Sequence, residues 1–102
     1  MDESKREILI KNMVDNLPML RKKLDISQKE LADMIGVTRN TITNIECRKT
    51  NMTWNMFLSL ILIFTKNKDT DKLLNILEIY TDELNDLIKS KHSMPEGSEK
   101  LC

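Results

Sequence analysis

The sequence predicts an all-α fold: a compact bundle of about five helices, with an additional helix towards the C-terminus. Three observations carry this. Glycine and proline occur only twice each in 102 residues, leaving few of the usual turn and strand punctuators. Leu, Ile, Lys, Glu and Met are abundant, which favours helix over strand. Apolar residues recur at spacings of three and four, the helical period. With 40% hydrophobic and 31% charged residues the composition is globular, and the length suffices for one core but not two.

Ser4–Asp15 is expected as a first helix, with Ile8, Leu9, Met13 and Val14 on its buried face. Asn16-Leu17-Pro18 reads as a new start, because proline is tolerated in a first helical turn. The helix it opens runs to about Leu24, with Leu17, Leu20 and Leu24 inward. Ser27-Gln28-Lys29-Glu30 has the form of a capping box, and the helix behind it ends at Gly36, which tolerates a left-handed backbone. Thr38 is expected to cap a helix running to about Cys47, with Ile42 and Ile45 inward. After a loop at Arg48–Met52, Thr53 caps a very apolar helix to about Thr65. Lys66–Thr70 reads as a polar connector and Asp71–Lys89 as one last helix. Residues 90–102, containing Pro95, Gly97 and Ser98, read as a disordered tail.

Charge and cysteine usage exclude several classes. The net charge is zero, so no overall excess attracts nucleic acid or membrane. Its distribution is uneven. Residues 18–52 hold seven Lys/Arg against four Asp/Glu, a balance of +3, whereas residues 53–102 hold six against eight, a balance of −2. The N-terminus MDESKRE is too charged for a signal peptide, and the longest apolar run, Met56–Phe64, is too short to span a membrane. Cys47 and Cys102 lack metal-ligand spacing, so a reducing cytoplasm is expected, with no disulfide, metal or cofactor. His92 is the only histidine. With no nucleophile–base set, metal cluster or glycine-rich phosphate loop, no enzyme is expected. Asp82, Glu83 and Asp86 read as an exposed acidic face, Arg21, Lys22 and Lys23 as a solvated one, and Trp54, Phe57 and Phe64 as core.

The informative stretch is ISQKELADMIGVTRNTITNIE, Ile26 to Glu46. Two helices can cross steeply over a short turn only if the turn tolerates positive φ and the first helix is small at the crossing. Gly36 and Ala32 meet these demands, while Leu31, Ile35, Val37, Ile42 and Ile45 supply the inward positions. The second helix carries Thr38, Arg39, Asn40, Thr43 and Asn44 on its polar face. Ordinary solvated faces are richer in Lys and Glu, which are better helix formers.

In sequence order, Leu-Arg-Lys-Lys-Leu, Ser-Gln-x-Glu-Leu-Ala, Gly-Val-Thr-Arg and Ile-x-x-Ile-Glu resemble the helix-turn-helix of the lambda-repressor/Cro-like, or XRE, family. The resemblance spans Asn16 to Phe64. It implies a lambda repressor-like DNA-binding domain over residues 16–65, preceded by a helical extension at 1–15. It implies a recognition helix in the major groove of a double-stranded operator, with Thr38, Arg39, Asn40 and Asn44 at base edges. Gln28, Thr41, Thr43, Arg48 and Lys49 would be phosphate neighbours. The family usually has glycine where Arg48 stands and proline where Met52 stands.

In the last predicted helix Leu73, Leu77, Tyr80, Leu84 and Leu87 recur at spacings of four, three, four and three. This heptad-like seam is expected to make residues 66–89 a dimerisation element. The implied function is a transcriptional regulator, a repressor acting as a homodimer on a pseudo-palindromic operator. The alternative is an antitoxin-type interaction module that binds a partner protein, either a toxin or an anti-repressor, and autoregulates its own operon.

Overall fold

In the computed structural model, which describes residues 2–92, the chain forms six helices. They are α1 (Glu3–Leu24), α2 (Gln28–Ile35), α3 (Arg39–Glu46), α4 (Trp54–Thr65), α5 (Lys68–Ile76) and α6 (Asp82–His92). α1 runs through the bundle and packs on α3, α4 and α5, while α2 packs on α3 and α4. The expected all-α class holds, with no strand among the described residues.

The expected break at Asn16–Pro18 is absent, and α1 continues through Pro18. An interior proline removes a helical hydrogen bond and costs about 3 kcal/mol. Leu9, Met13, Leu17 and Leu20 nevertheless form one buried stripe across it, at spacings of four, four and three. Each such side chain contributes about 1.5–3 kcal/mol, so the register of the stripe outweighs the proline. Of the segment 1–15, expected as a separate extension, residues 3–15 therefore share one helix with residues 16–24. Ile8, expected inward, is 58% exposed, because the stripe runs through Leu9 instead.

The local signals at Ser27, Thr38 and Thr53 act as expected. Each side chain accepts from an amide in the first turn of its helix, and Ser27 with Glu30 completes the capping box. α4 buries Phe57, Leu60, Ile61 and Phe64. The expected connector Lys66–Thr70 is mostly the start of α5. Asn67 caps that helix by accepting from the Asp69 amide, and Asp69 and Asp71 suit the positive end of its dipole. The Thr70 hydroxyl, fully buried, donates to the Phe64 carbonyl at 2.6 Å and so closes the end of α4.

Four helices end in the same way. Asp25, Gly36, Arg48 and Glu78 adopt left-handed φ values of 57°, 79°, 63° and 58°. In each case the next amide donates five residues back: Ile26 to Arg21, Val37 to Ala32, Lys49 to Asn44 and Ile79 to Leu74. This is the Schellman arrangement, here with a single glycine among the four. The exit after α3 thus keeps the left-handed geometry although Arg48 replaces the family's glycine.

At Glu78 the same motif overturns the expected single helix over Asp71–Lys89. The chain stops at Leu77, turns, and restarts as α6, with Leu74 and Ile79 fully buried across the turn. The heptad-like seam is therefore divided between two helices. Leu84 is fully buried, and Leu73, Leu77, Tyr80 and Leu87 pack against the core. Core packing alone suffices to account for its periodicity. α6 also continues through residues 90–92, past the expected helix end at Lys89, since no breaker occurs before Pro95. The rest of the expected tail, residues 93–102, lies outside the described residues.

The Glu78 side chain is exposed, so its left-handed backbone angle has no compensating burial of its own. Glu78→Gly is expected to stabilise the fold by about 1 kcal/mol, the left-handed cost of an L-residue reduced by glycine's entropy. A rise in the urea midpoint at unchanged slope checks it.

Candidate nucleic-acid interface

α2 and α3 meet across the turn at Gly36, with Ala32 only 1% exposed where they cross. Leu31, Ile42 and Ile45 lie in the core beneath, which fixes the other side of α3 outward. Arg39 and Asn40 are exposed at its N-terminal end, with Asn44 half-buried one turn later. None of these three side chains has a hydrogen bond or ion pair among the described residues. Thr38 is the N-cap. Its oxygen accepts from the Thr41 amide and lies 3.0 Å from the Thr41 hydroxyl, leaving its methyl as the side chain's free surface.

Behind this face lies a polar network. Arg21, on α1, donates through Nε and Nη2 to the two carboxylate oxygens of Glu46 at 2.8 and 3.1 Å, and through Nη1 to the Ile26 carbonyl at 3.2 Å. The Gln28 amide donates to Glu46 at 2.9 Å, and the Thr43 hydroxyl donates to Gln28 Oε1 at 2.8 Å. The side chains of Arg21 and Glu46 are only 13% and 7% exposed. The network joins the last turn of α1, the first residue of α2 and the outer turns of α3, so it sets the angle at which α3 is held. No buried side-chain nitrogen or oxygen among the described residues lacks a partner.

The expected phosphate ligands therefore divide. The Thr43 hydroxyl, expected beside a phosphate, donates inward to Gln28 Oε1. Gln28 keeps one N–H, since its other polar positions are taken by Glu46 and Thr43. Arg48 pairs with Asp15, which also accepts from Lys11 at 2.8 Å. Hydrogen bonds from Lys11 and then Arg48 hold the Asp15 carboxyl below the usual carboxylate range. That tether is present above the ordinary carboxylate pKa and is lost as pH falls through the lowered folded value. Lys49 is exposed without a side-chain partner among the described residues.

Arg21 and Glu46 are the residues that sequence reasoning missed. Arg21 looks solvated beside Lys22 and Lys23, yet it stands one turn after Leu17 and next to Leu20, on the margin of the buried stripe. Trp54 is half-buried, stacked on Phe57 at 4.8 Å with the Arg6 guanidinium 5.2 Å from its ring centre.

A family model described as helix-turn-helix matches residues 19–51, which contain the α2–turn–α3 unit and the network that holds it. These residues are a helix-turn-helix of the XRE, lambda-repressor/Cro-like kind. Units of this kind occur in DNA-binding regulators, and the match covers residues 19–51 of this chain. No curated protein and no solved structure matches the chain. No described helix is long and apolar enough to cross a membrane. The α1 segment before residue 19 and everything after residue 51 lie outside the match.

Proposed function

We propose that the chain is a sequence-specific, double-stranded-DNA-binding transcriptional repressor that acts as a homodimer on a pseudo-palindromic operator. The observation that carries this is the outward face of α3, where Arg39, Asn40 and Asn44 are unpartnered among the described residues while their neighbours Thr43 and Glu46 are tied down. Arg39 suits a bidentate pair with guanine O6/N7, and Asn40 and Asn44 suit adenine N6/N7. The Thr38 methyl suits a thymine methyl. Lys49, Thr41 and the remaining Gln28 N–H serve the phosphates, with Arg48 held at Asp15 beside them. Repression needs only occupancy of an operator.

Selection of bound duplexes from a random pool at physiological salt tests the reading, and an enriched inverted repeat is the expected result. Binding without enrichment that vanishes as salt rises would reduce the face to phosphate attraction. Within the selected site, Arg39→Ala is expected to lose about 1–3 kcal/mol and to relax preference at one base position. Lys49→Ala should weaken all sequences alike and reduce the salt slope by about one. Equal, uniform losses from both changes would remove Arg39 from the base readers. The antitoxin-type alternative has weaker support: Leu62 and Ile76 are exposed on α4 and α5, and scattered exposed apolar residues are ordinary.

A further inference from the structure

The first half of α1 and the loop between α3 and α4 form the walls of an open groove of about 800 Å³. Its lining is apolar along the middle, through Ile10, Val14, Ile45, Met52 and Trp54. Its net charge changes sign along α1. Glu3 and Glu7 lie towards the helix start without an ion pair among the described residues, and Arg6 between them turns its guanidinium over Trp54, which leaves that end with one net negative charge. Lys11 and Arg48 lie further along, where they share Asp15, two cations to one carboxylate. An apolar strip with one acidic and one basic end is complementary to itself when turned through a half-rotation.

We infer that this groove is the contact between two copies of the chain, their α1 helices side by side and antiparallel about a two-fold axis level with Leu9. Residues equidistant from the axis then face each other. Glu7 meets Lys11 of the second copy, and Glu3 comes level with the second copy's Asp15, where Arg48 supplies the excess positive charge. Each apolar strip covers the other. The seam on α5 and α6 offers less free apolar surface, because Leu84 is fully buried and Leu73, Leu77, Tyr80 and Leu87 are partly buried against the core. Ile45 and Arg48 border the groove, so the axis brings the ends of two recognition helices to either side of it.

The inference rests on the homodimer reading above, and its test uses free protein so that the two can fail separately. Full-length Glu7→Lys and Lys11→Glu chains are compared with wild type by sedimentation, with far-UV circular dichroism to establish that each is folded. Each variant alone places like charges opposite one another twice per dimer and is expected to associate about tenfold more weakly. An equimolar mixture restores both attractions and should return to the dimer mass. Emission from Trp54, the sole tryptophan, should shift with association. Dimers unaffected by either change, or variants not rescued by mixing, would overturn this face and leave the homodimer reading intact. A wild-type monomer at every concentration, with single half-sites enriched in the selection, would overturn both the face and the homodimer while sparing DNA reading.

Discussion

Arg21→Ala is expected to destabilise the protein by about 3–5 kcal/mol, the typical cost of leaving one member of a buried ion pair behind. Glu46 would keep only the Gln28 amide as a side-chain donor, while its carboxylate stays at 7% exposure. The Ile26 carbonyl would lose its Arg21 partner as well. Against a total of about 5–15 kcal/mol for a domain, this is a large fraction, and urea unfolding measures it directly. A loss below about 1 kcal/mol would mean that the pair is solvent-screened, like a surface bridge. Arg21→Met combined with Glu46→Met should recover much of the stability, since well-packed apolar replacements of buried pairs are often neutral. It should not recover DNA affinity. Gln28 loses its anchor in the double variant, and with it the contact that fixes the start of α2 against the outer turns of α3.

That contrast separates holding the fold together from aiming the recognition helix. A hydrophobic pair can fill the same volume, but it cannot accept the Gln28 amide or pass its orientation on to Thr43. Polar connection at this site costs desolvation and gives a defined angle between α1, α2 and α3. In the proposed reading, the exposed Thr/Asn/Arg face meets a groove best when that angle is fixed before binding, because a rocking helix would have to be ordered with a loss of affinity.

What was legible in the sequence was mainly local. Ser27 with Glu30, Thr38 and Thr53 cap amides within three residues of themselves, so their meaning does not depend on the rest of the chain. Gly36 is legible for the same reason. The helix stop at Glu78 was not, because the left-handed position is filled by a residue that usually favours helix. Its strain is offset by the burial of Leu74 and Ile79, which only the folded chain supplies. Pro18 misled in the opposite direction, since a breaker was overruled by a stripe in register on both of its sides. In the candidate site, the exposed positions of α3 followed from helical period alone. The inward turn of Gln28 and Thr43 did not, because it depends on Glu46 and Arg21, partners 25 residues apart.

Leu84→Ala is expected to cost about 2–5 kcal/mol, the range for removing a fully buried leucine, and to do so independently of protein concentration. The second condition is the discriminating one. A side chain in a dimer seam contributes only when the dimer forms, so its loss would grow as the protein is concentrated. A side chain in the core contributes in every folded copy. Unfolding wild type and Leu84→Ala across a roughly hundredfold range of concentration should therefore give parallel lines. Converging lines at low concentration would return α5 and α6 to the role that their spacing suggested. Truncation after Asp69 asks the same question more severely. It removes Leu74, Ile79 and Leu84 together, all fully buried, and leaves the sides of α1 and α4 that face α5 open to water. The expected product is an unfolded or molten chain rather than a folded monomer, because a helix-turn-helix held only by α1 to α4 would have lost part of the single core that supports it.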